Sequence, residues 1–108
     1  MQQNEKYQEI HKLCQILTEK GIPYVLVPIC DGWQVCYPCE GPNRVCSAVQ
    51  HSYSYGSGVV RIEIMGLLSK SEIRSGGGVA GYLTANNVAK RIIAHYKKQK
   101  RRGNYEIH

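Results

Sequence analysis

The sequence contains no long apolar segment. No apolar run approaches the roughly 20 residues that a helix needs to cross a bilayer. The first six residues also lack the apolar core of a signal peptide. We therefore expect a cytosolic protein that has no membrane partner. Its 108 residues suit one domain, residues 1–108, with a core that folds without cross-links.

Acidic residues are scarce. The chain has 8 Asp and Glu against 14 Lys and Arg, which gives a net charge of +6. Residues 1–89 hold equal numbers of acidic and basic residues, so the excess positive charge lies in residues 90–108. Clustered Lys and Arg bind phosphate backbones without reading sequence, although a solvated helix end has the same composition. We expect residues 97–108 to form a basic, frayed tail.

Catalytic motifs are also lacking. No Ser, Asp and His trio stands out, and the few carboxylates are scattered. The glycine run at residues 76–78 has no Gly-Lys-Ser/Thr ending, and Thr84 lies too far downstream to begin a phosphate-binding helix. Helix-turn-helix, ribonucleoprotein and zinc-finger motifs do not occur. These absences favour a binding protein without a cofactor over an enzyme.

Five cysteines is an odd number, and in a reducing compartment we expect free thiols. One Cys-x-x-Cys pair, Cys36 and Cys39, could supply two zinc ligands, with Cys46 and Cys30 completing a tetrahedron. Pairing of two strands around this turn would place Cys36 and Cys46 on one face. His51 falls on the other face, roughly 16 Å from Cys46 at ~3.3 Å per residue. A single Cys-x-x-Cys is a weak signal, so we predict no bound metal.

Amphipathic helices are predicted at both ends of the chain. In residues 4–20, apolar side chains recur at helical spacing, and Gly21 and Pro23 end the pattern. Thr84 is the expected cap of a second helix from residue 85 to about residue 100. Basic residues crowd the end of this helix, where the helix dipole favours cations.

Strand patterns lie between the two helices. Alternating apolar residues predict four strands, at residues 22–29, 32–37, 44–55 and 59–65. Residues 67–83 are less regular, with a short helical turn near Ser69 and a mobile loop at residues 76–78. Because the connections are too short for parallel crossovers, the sheet should be an antiparallel meander.

The predicted fold is therefore α+β. We expect a two-layer sandwich in which both terminal helices pack on one face of a four-stranded antiparallel sheet. The other sheet face is then free for solvent or a partner. A two-fold assembly is the commonest way to use such a face, so we expect a homodimer or a higher oligomer.

Large side chains alternate along the two central strands. Trp33 and Tyr37 recur in residues 32–37, and Val45, Val49, His51, Tyr53 and Tyr55 in residues 44–55, so we expect them to line one face. Aromatic planes stack on bases, and arginines contact phosphates. The alternative for Trp33 is that it belongs to the core beneath the helices. The candidate ligand-binding residues are Trp33, His51, Tyr53, Tyr55, Arg61 and Arg74.

Five short segments occur together in this chain: Glu19-Lys-Gly-Ile-Pro-Tyr, Asp31-Gly-Trp-Gln, His51-Ser-Tyr-Ser-Tyr-Gly, Glu63-Ile-Met-Gly-Leu-Leu and Gly81-Tyr-Leu-Thr-Ala-Asn-Asn-Val. With them the chain resembles small uncharacterised proteins of phages and prophages of low-GC Gram-positive bacteria. The resemblance implies a viral accessory protein in the host bacterial cytoplasm. Proteins of this kind often counter host defences by sequestering a nucleotide signal or blocking an effector. The resemblance implies no catalytic residue.

Two functions follow as hypotheses. The first is a non-enzymatic protein that captures a small anionic or nucleotide-like ligand. The second is a protein- or nucleic-acid-interaction factor that uses the open sheet face and the basic tail.

Overall fold

The structure is a computed structural model that describes residues 8–29, 32–50 and 61–106. Within these residues the chain forms three helices and five strands. In chain order they are α1 (Gln8–Glu19), β1 (Val25–Ile29), β2 (Gly32–Tyr37), β3 (Cys46–Gln50), β4 (Ile62–Met65), α2 (Lys70–Ser75), β5 (Ala80–Leu83) and α3 (Ala85–Glu106). None of the helices in these ranges is both long enough and apolar enough to cross a membrane.

The five strands form one antiparallel sheet in sequence order. The predicted α+β class is confirmed, but the prediction of four strands was wrong. The additional strand, β5, lies in the segment that the sequence pattern predicted as irregular. Two features disrupt the regular alternation of side chains in β5. Tyr82 has a φ of 61°, and the pairing of β5 with β4 shifts register between Ile62 and Ile64.

Helix α1 ends in a Schellman motif. Gly21 takes a φ of 68°, which suits glycine at this position. The Ile22 N–H donates to the Leu17 carbonyl oxygen at 2.9 Å, and the Gly21 N–H donates to the Thr18 carbonyl oxygen at 3.1 Å. The predicted stop at Gly21 is therefore in place, whereas the predicted start at residue 4 lies outside the described residues.

Helix α3 is longer than the sequence pattern predicted. It has 22 residues and runs to Glu106, beyond the predicted end near Lys100. Its length is about 33 Å at 1.5 Å per residue. Lys, Arg and Gln are good helix formers, and no proline interrupts them. Residues 97–106, predicted as a frayed tail, continue the helix instead.

The two long helices pack against the same sheet face. In register, Val35 of β2 lies opposite Ala48 of β3, which lies opposite Ile64 of β4. All three residues are buried in one core cluster with the apolar stripes of α1 and α3. The helix residues in this cluster include Ile10, Leu13, Leu17, Val88, Ala89 and Ile92.

The pairing of β2 with β3 differs from the predicted alignment. Trp33 lies opposite Gln50 and Tyr37 lies opposite Cys46, so these four residues share the helix-facing side. Val49 lies on the other face, opposite Gln34, which corrects the prediction that Val49 shares a face with Trp33. Because side chains alternate with a period of two, the register set by the connecting turn decides which face of the sheet each side chain occupies.

Two long-range hydrogen bonds position the starts of α1 and α3. The Ile10 N–H of α1 donates to Oε1 of buried Gln50 at 3.0 Å, and the Ala85 N–H of α3 donates to Oε1 of Glu9 at 2.6 Å. Thr84 also caps α3, as predicted, because its Oγ1 accepts from the Asn87 N–H at 3.2 Å. Each helix start is therefore tied to a distant part of the chain.

Candidate functional site

The structure places half of the sequence-predicted ligand-binding residues. Trp33, Arg61 and Arg74 are described, whereas His51, Tyr53 and Tyr55 lie outside the described residues. Trp33 is half-buried on the helix-facing side of β2, and its ring meets that of His11 edge-on at 5.9 Å between centroids. Trp33 packs against the core, as the alternative interpretation of this residue predicts.

The two described arginines flank β4 in the chain. Arg61 directly precedes β4, at the end where Trp33 pairs with Gln50. Arg74 is exposed on α2, which follows the other end of β4. Three residue steps along β3 separate the two ends, roughly 10 Å at ~3.3 Å per residue. Trp33 and Arg74 are therefore associated with opposite ends of β4.

The cysteines are not arranged as the zinc hypothesis requires. Cys36 pairs with Ser47 and Cys46 pairs with Tyr37, so the two cysteines lie on opposite faces of the sheet. The prediction that they share a face was wrong, and they cannot ligate one ion together. Burial raises the pKa of the Cys46 thiol to about 11, which disfavours the thiolate that zinc binds. Cys30 lies outside the described residues; among the rest, no group of three His, Cys, Asp or Glu could hold a metal.

A polar contact that the sequence pattern did not indicate joins the sheet to α3. The Tyr37 hydroxyl and Nδ1 of His95 are 2.7 Å apart, and the two rings meet edge-on at 5.5 Å between centroids. Tyr37 is buried, and desolvation, with a smaller effect of nearby Tyr96, raises its pKa. The hydroxyl thus stays neutral and holds the imidazole in a fixed orientation.

One turn earlier on α3, Arg91 ties three segments together. Its guanidinium donates to both carboxylate oxygens of Glu72 in α2, at 2.8 and 2.9 Å. It also donates to the Leu67 carbonyl oxygen at 3.0 Å and to Oδ1 of Asn87 at 2.8 Å. The hydrogen bond from Arg91, with a second from the Ser69 N–H, lowers the pKa of Glu72 to about 2. This network fixes α2 and the segment before it against α3.

His95 lines two clefts. The first, which we call the tyrosine cleft, has a volume of about 380 Å³ and is lined by Pro23, Tyr37, Pro38, Val45, His95, Tyr96 and Gln99. The second, which we call the basic cleft, has a volume of about 310 Å³ and is lined by Leu67, Leu68, Arg91, Ala94, His95 and Lys98. Both clefts use residues of α3 as one wall, and both lie where α3 leaves the sheet.

Beyond these clefts, α3 carries a dense positive charge. Residues 97–102, which we call the basic helix end, are all exposed. Five of these six residues are cationic: Lys97, Lys98, Lys100, Arg101 and Arg102. No acidic residue occurs anywhere in residues 85–102. Helical spacing also places His95, Lys98 and Arg102 on one stripe that runs on from Arg91, so the basic cleft continues onto the basic helix end.

The sequence indicates the positive charge of this surface but not the contact between Tyr37 and His95 that shapes its clefts. Composition alone located the charge excess in residues 90–108. The pairing of Tyr37 with His95 spans 58 residues, and no local pattern predicts it.

A comparison of the chain with protein-family models, curated proteins and solved structures finds no match. The fold and these surfaces define a small α+β protein with one polycationic helix, and the viral family that the sequence resembles stays a prediction.

Proposed function

We propose that this protein is a non-enzymatic binding protein that holds nucleic acid through α3. The observation that carries the proposal is the basic helix end, where five of six exposed residues are cationic, while the nine basic and eight acidic residues elsewhere nearly cancel. A regular helix spaces these residues by 1.5 Å along its axis, so five charges lie within about 8 Å. Duplex DNA carries one negative charge per roughly 1.7 Å, so the two linear charge densities are similar.

The expected binding is electrostatic and independent of sequence. Cations that replace counterions along a phosphate backbone gain free energy because those counterions are released into bulk solvent. The five side chains point in several directions around α3, so only some can contact one strand at a time. Binding of this kind typically has a dissociation constant of about 10⁻⁴ to 10⁻⁶ M at physiological salt. We expect the protein to fall in this range.

The other hypotheses stay predictions. Capture of a small nucleotide-like ligand by Trp33, His51, Tyr53 and Tyr55 depends on residues of which only Trp33 is described, and Trp33 packs against the core. A role in countering host defence, a place in the host bacterial cytoplasm and a homodimer are likewise proposals, which come from the resemblance and from the sheet face that the sequence predicts to be free. Nucleic-acid binding through α3 requires none of them.

Charge-neutral variants test the proposal. In the helix variant, all five cations of the basic helix end become Gln, which keeps a high helix propensity. In the matched control, five exposed cations outside α3 become Gln: Lys12, Lys20, Arg44, Lys70 and Arg74. Each variant loses five positive charges from the net charge of +6. Circular dichroism should show that both keep the fold.

Fluorescence anisotropy with labelled oligonucleotides at 50 mM salt is the measurement. The natural chain should bind, the helix variant should lose at least about 100-fold in affinity, and the control should lose less than about tenfold. Equal losses in the two variants would mean that net charge alone matters. That result, or no binding by the natural chain, would overturn the proposal.

A further inference from the structure

We propose that the tyrosine cleft receives one unstacked base of a single-stranded nucleic acid whose backbone follows the basic helix end. This inference rests on the proposed function, and it specifies which form of nucleic acid the protein prefers. The cleft volume of about 380 Å³ lies within the range of small-molecule sites in proteins, roughly 300–1,000 Å³. A planar base is small enough to enter such a cleft.

The chemistry of the lining suits a base. Tyr96 contributes an aromatic ring to the lining, and Pro38 and Val45 contribute apolar side chains. Gln99 is exposed at the same cleft, and its amide can both donate to and accept from a base edge. Single-stranded binders use this combination, because every base has a π-face that stacks on an aromatic ring whatever the sequence.

The charges around the cleft suit the backbone on either side of that base. Nζ of Lys100 lies over one face of the Tyr96 ring, 5.7 Å from its centroid, so a base that stacks on this ring must use the opposite face and lies close to a cation. Lys98 lines the basic cleft, which adjoins the tyrosine cleft because the two clefts share His95 as a lining residue. Phosphates that flank a base in the tyrosine cleft would therefore be close to cations. This charge complementarity favours a nucleic acid over an uncharged apolar ligand.

Access to the base decides between the two forms of nucleic acid. In a duplex the bases are paired and stacked, so one of them must be extruded before it can enter a cleft. Single strands have bases that are already free to enter. The hydrogen bond of 2.7 Å between Tyr37 and His95 fixes one wall of the cleft. We therefore infer a preference for single strands over duplexes.

The test compares a labelled 20-nucleotide poly-dT with a labelled 20-base-pair duplex. At 50 mM salt the natural chain should bind the single strand about tenfold more tightly than the duplex. Tyr96→Leu removes the ring but keeps an apolar side chain, so it should cost about tenfold in affinity for the single strand and leave duplex affinity unchanged. A thermal melt should establish that the Tyr96→Leu protein is folded.

Gln99→Glu provides a second variant that cannot disturb the core, because Gln99 is exposed. Because Gln99 also lies within the basic helix end, the readout is the ratio of single-strand to duplex affinity: Gln99→Glu should lower this ratio, whereas Gln8→Glu, which adds the same charge at the exposed start of α1, should leave the ratio unchanged. Equal effects of these two substitutions would contradict the cleft assignment. So would full displacement of the single strand by polyglutamate at equal charge concentration.

The outcomes separate this inference from the function on which it rests. Equal binding of both oligonucleotides, unchanged by Tyr96→Leu, would overturn the base-binding cleft while the proposed function of α3 stands. No binding of either oligonucleotide would overturn both. A single-strand preference that Tyr96→Leu and Gln99→Glu each reduce would support the inference.

Discussion

The Tyr37 hydroxyl lies 2.7 Å from Nδ1 of His95 and joins the end of β2 to α3. His95 stands where the tyrosine cleft and the basic cleft meet. The contact therefore fixes α3 at the point where the helix leaves the body and begins to expose its cations. A buried strand residue and a residue on a basic helix share one hydrogen bond, which couples the fold to the proposed binding surface.

We expect Tyr37→Phe to lower the free energy of unfolding by about 1 kcal/mol. The ring still fills its place in the core, but the hydrogen bond to His95 is lost. Tyr24→Phe is the matched control, because it removes an exposed hydrogen bond to Thr18 of 2.8 Å and should cost less. Urea denaturation of both variants measures the difference. A Tyr37→Phe protein as stable as the natural chain would show that the contact with His95 contributes nothing.

The ion pair between Glu72 and Arg91 should make stability depend on acid pH. Its hydrogen bonds lower the pKa of Glu72 from 4.5 to about 2 in the folded protein. The stabilisation is therefore fully present above about pH 4.5 and is lost as the pH falls toward about 2. Glu72→Gln should cost about 1 kcal/mol at pH 7, because both the ion pair and the capping contact with Ser69 are weakened.

Unfolding measured at pH 7 and pH 3 tests this prediction. The difference in stability between the natural chain and Glu72→Gln should shrink at the lower pH. Glu40→Gln, at an exposed turn position, is the control and should change stability little at either pH. A difference for Glu72→Gln that stays the same at both pH values would contradict the assignment of the ion pair.

Gly66 should tolerate no side chain. Its φ is 90°, and an added Cβ would overlap the Val45 carbonyl oxygen. We expect Gly66→Ala to lower the free energy of unfolding by at least about 2 kcal/mol. Gly41→Ala is a matched control, since Gly41 has a φ of 91° but open space around its Cα. The control should show only the backbone strain, about 1 kcal/mol. Equal losses in the two variants would mean that the close approach to Val45 has no effect.

The sequence predicted the elements better than their alignment. Periodicity identified both long helices, and Gly21 and Thr84 marked two of their ends, because capping is decided by neighbouring residues. Periodicity missed β5, because Tyr82 in this strand has a positive φ that disrupts the alternation of side chains. It also reversed the facing of Val49 relative to Trp33, since a register is set by a turn that has many possible geometries.

The candidate site was predictable in composition and not in geometry. The concentration of cations after residue 90 is visible in the sequence, but the continuation of the helix beyond about residue 100 is not, because Gly103 suggests an end. The contacts that shape the clefts join residues far apart in the chain, such as Arg91 with Glu72 and Tyr37 with His95. Such pairs depend on the tertiary packing of α3 on the sheet. No local pattern encodes them.

The salt dependence of single-strand affinity tests the account most directly. If all five cations of the basic helix end contact phosphates, the logarithm of the association constant should fall linearly with the logarithm of salt concentration, with a slope of roughly −3.5. Fewer contacts give a proportionally shallower slope. The variant with five Gln should lose most of this dependence of affinity on salt. Anisotropy titrations between 50 and 300 mM salt provide the measurement. An affinity that is independent of salt, or an equal slope in the Gln variant, would contradict binding through α3.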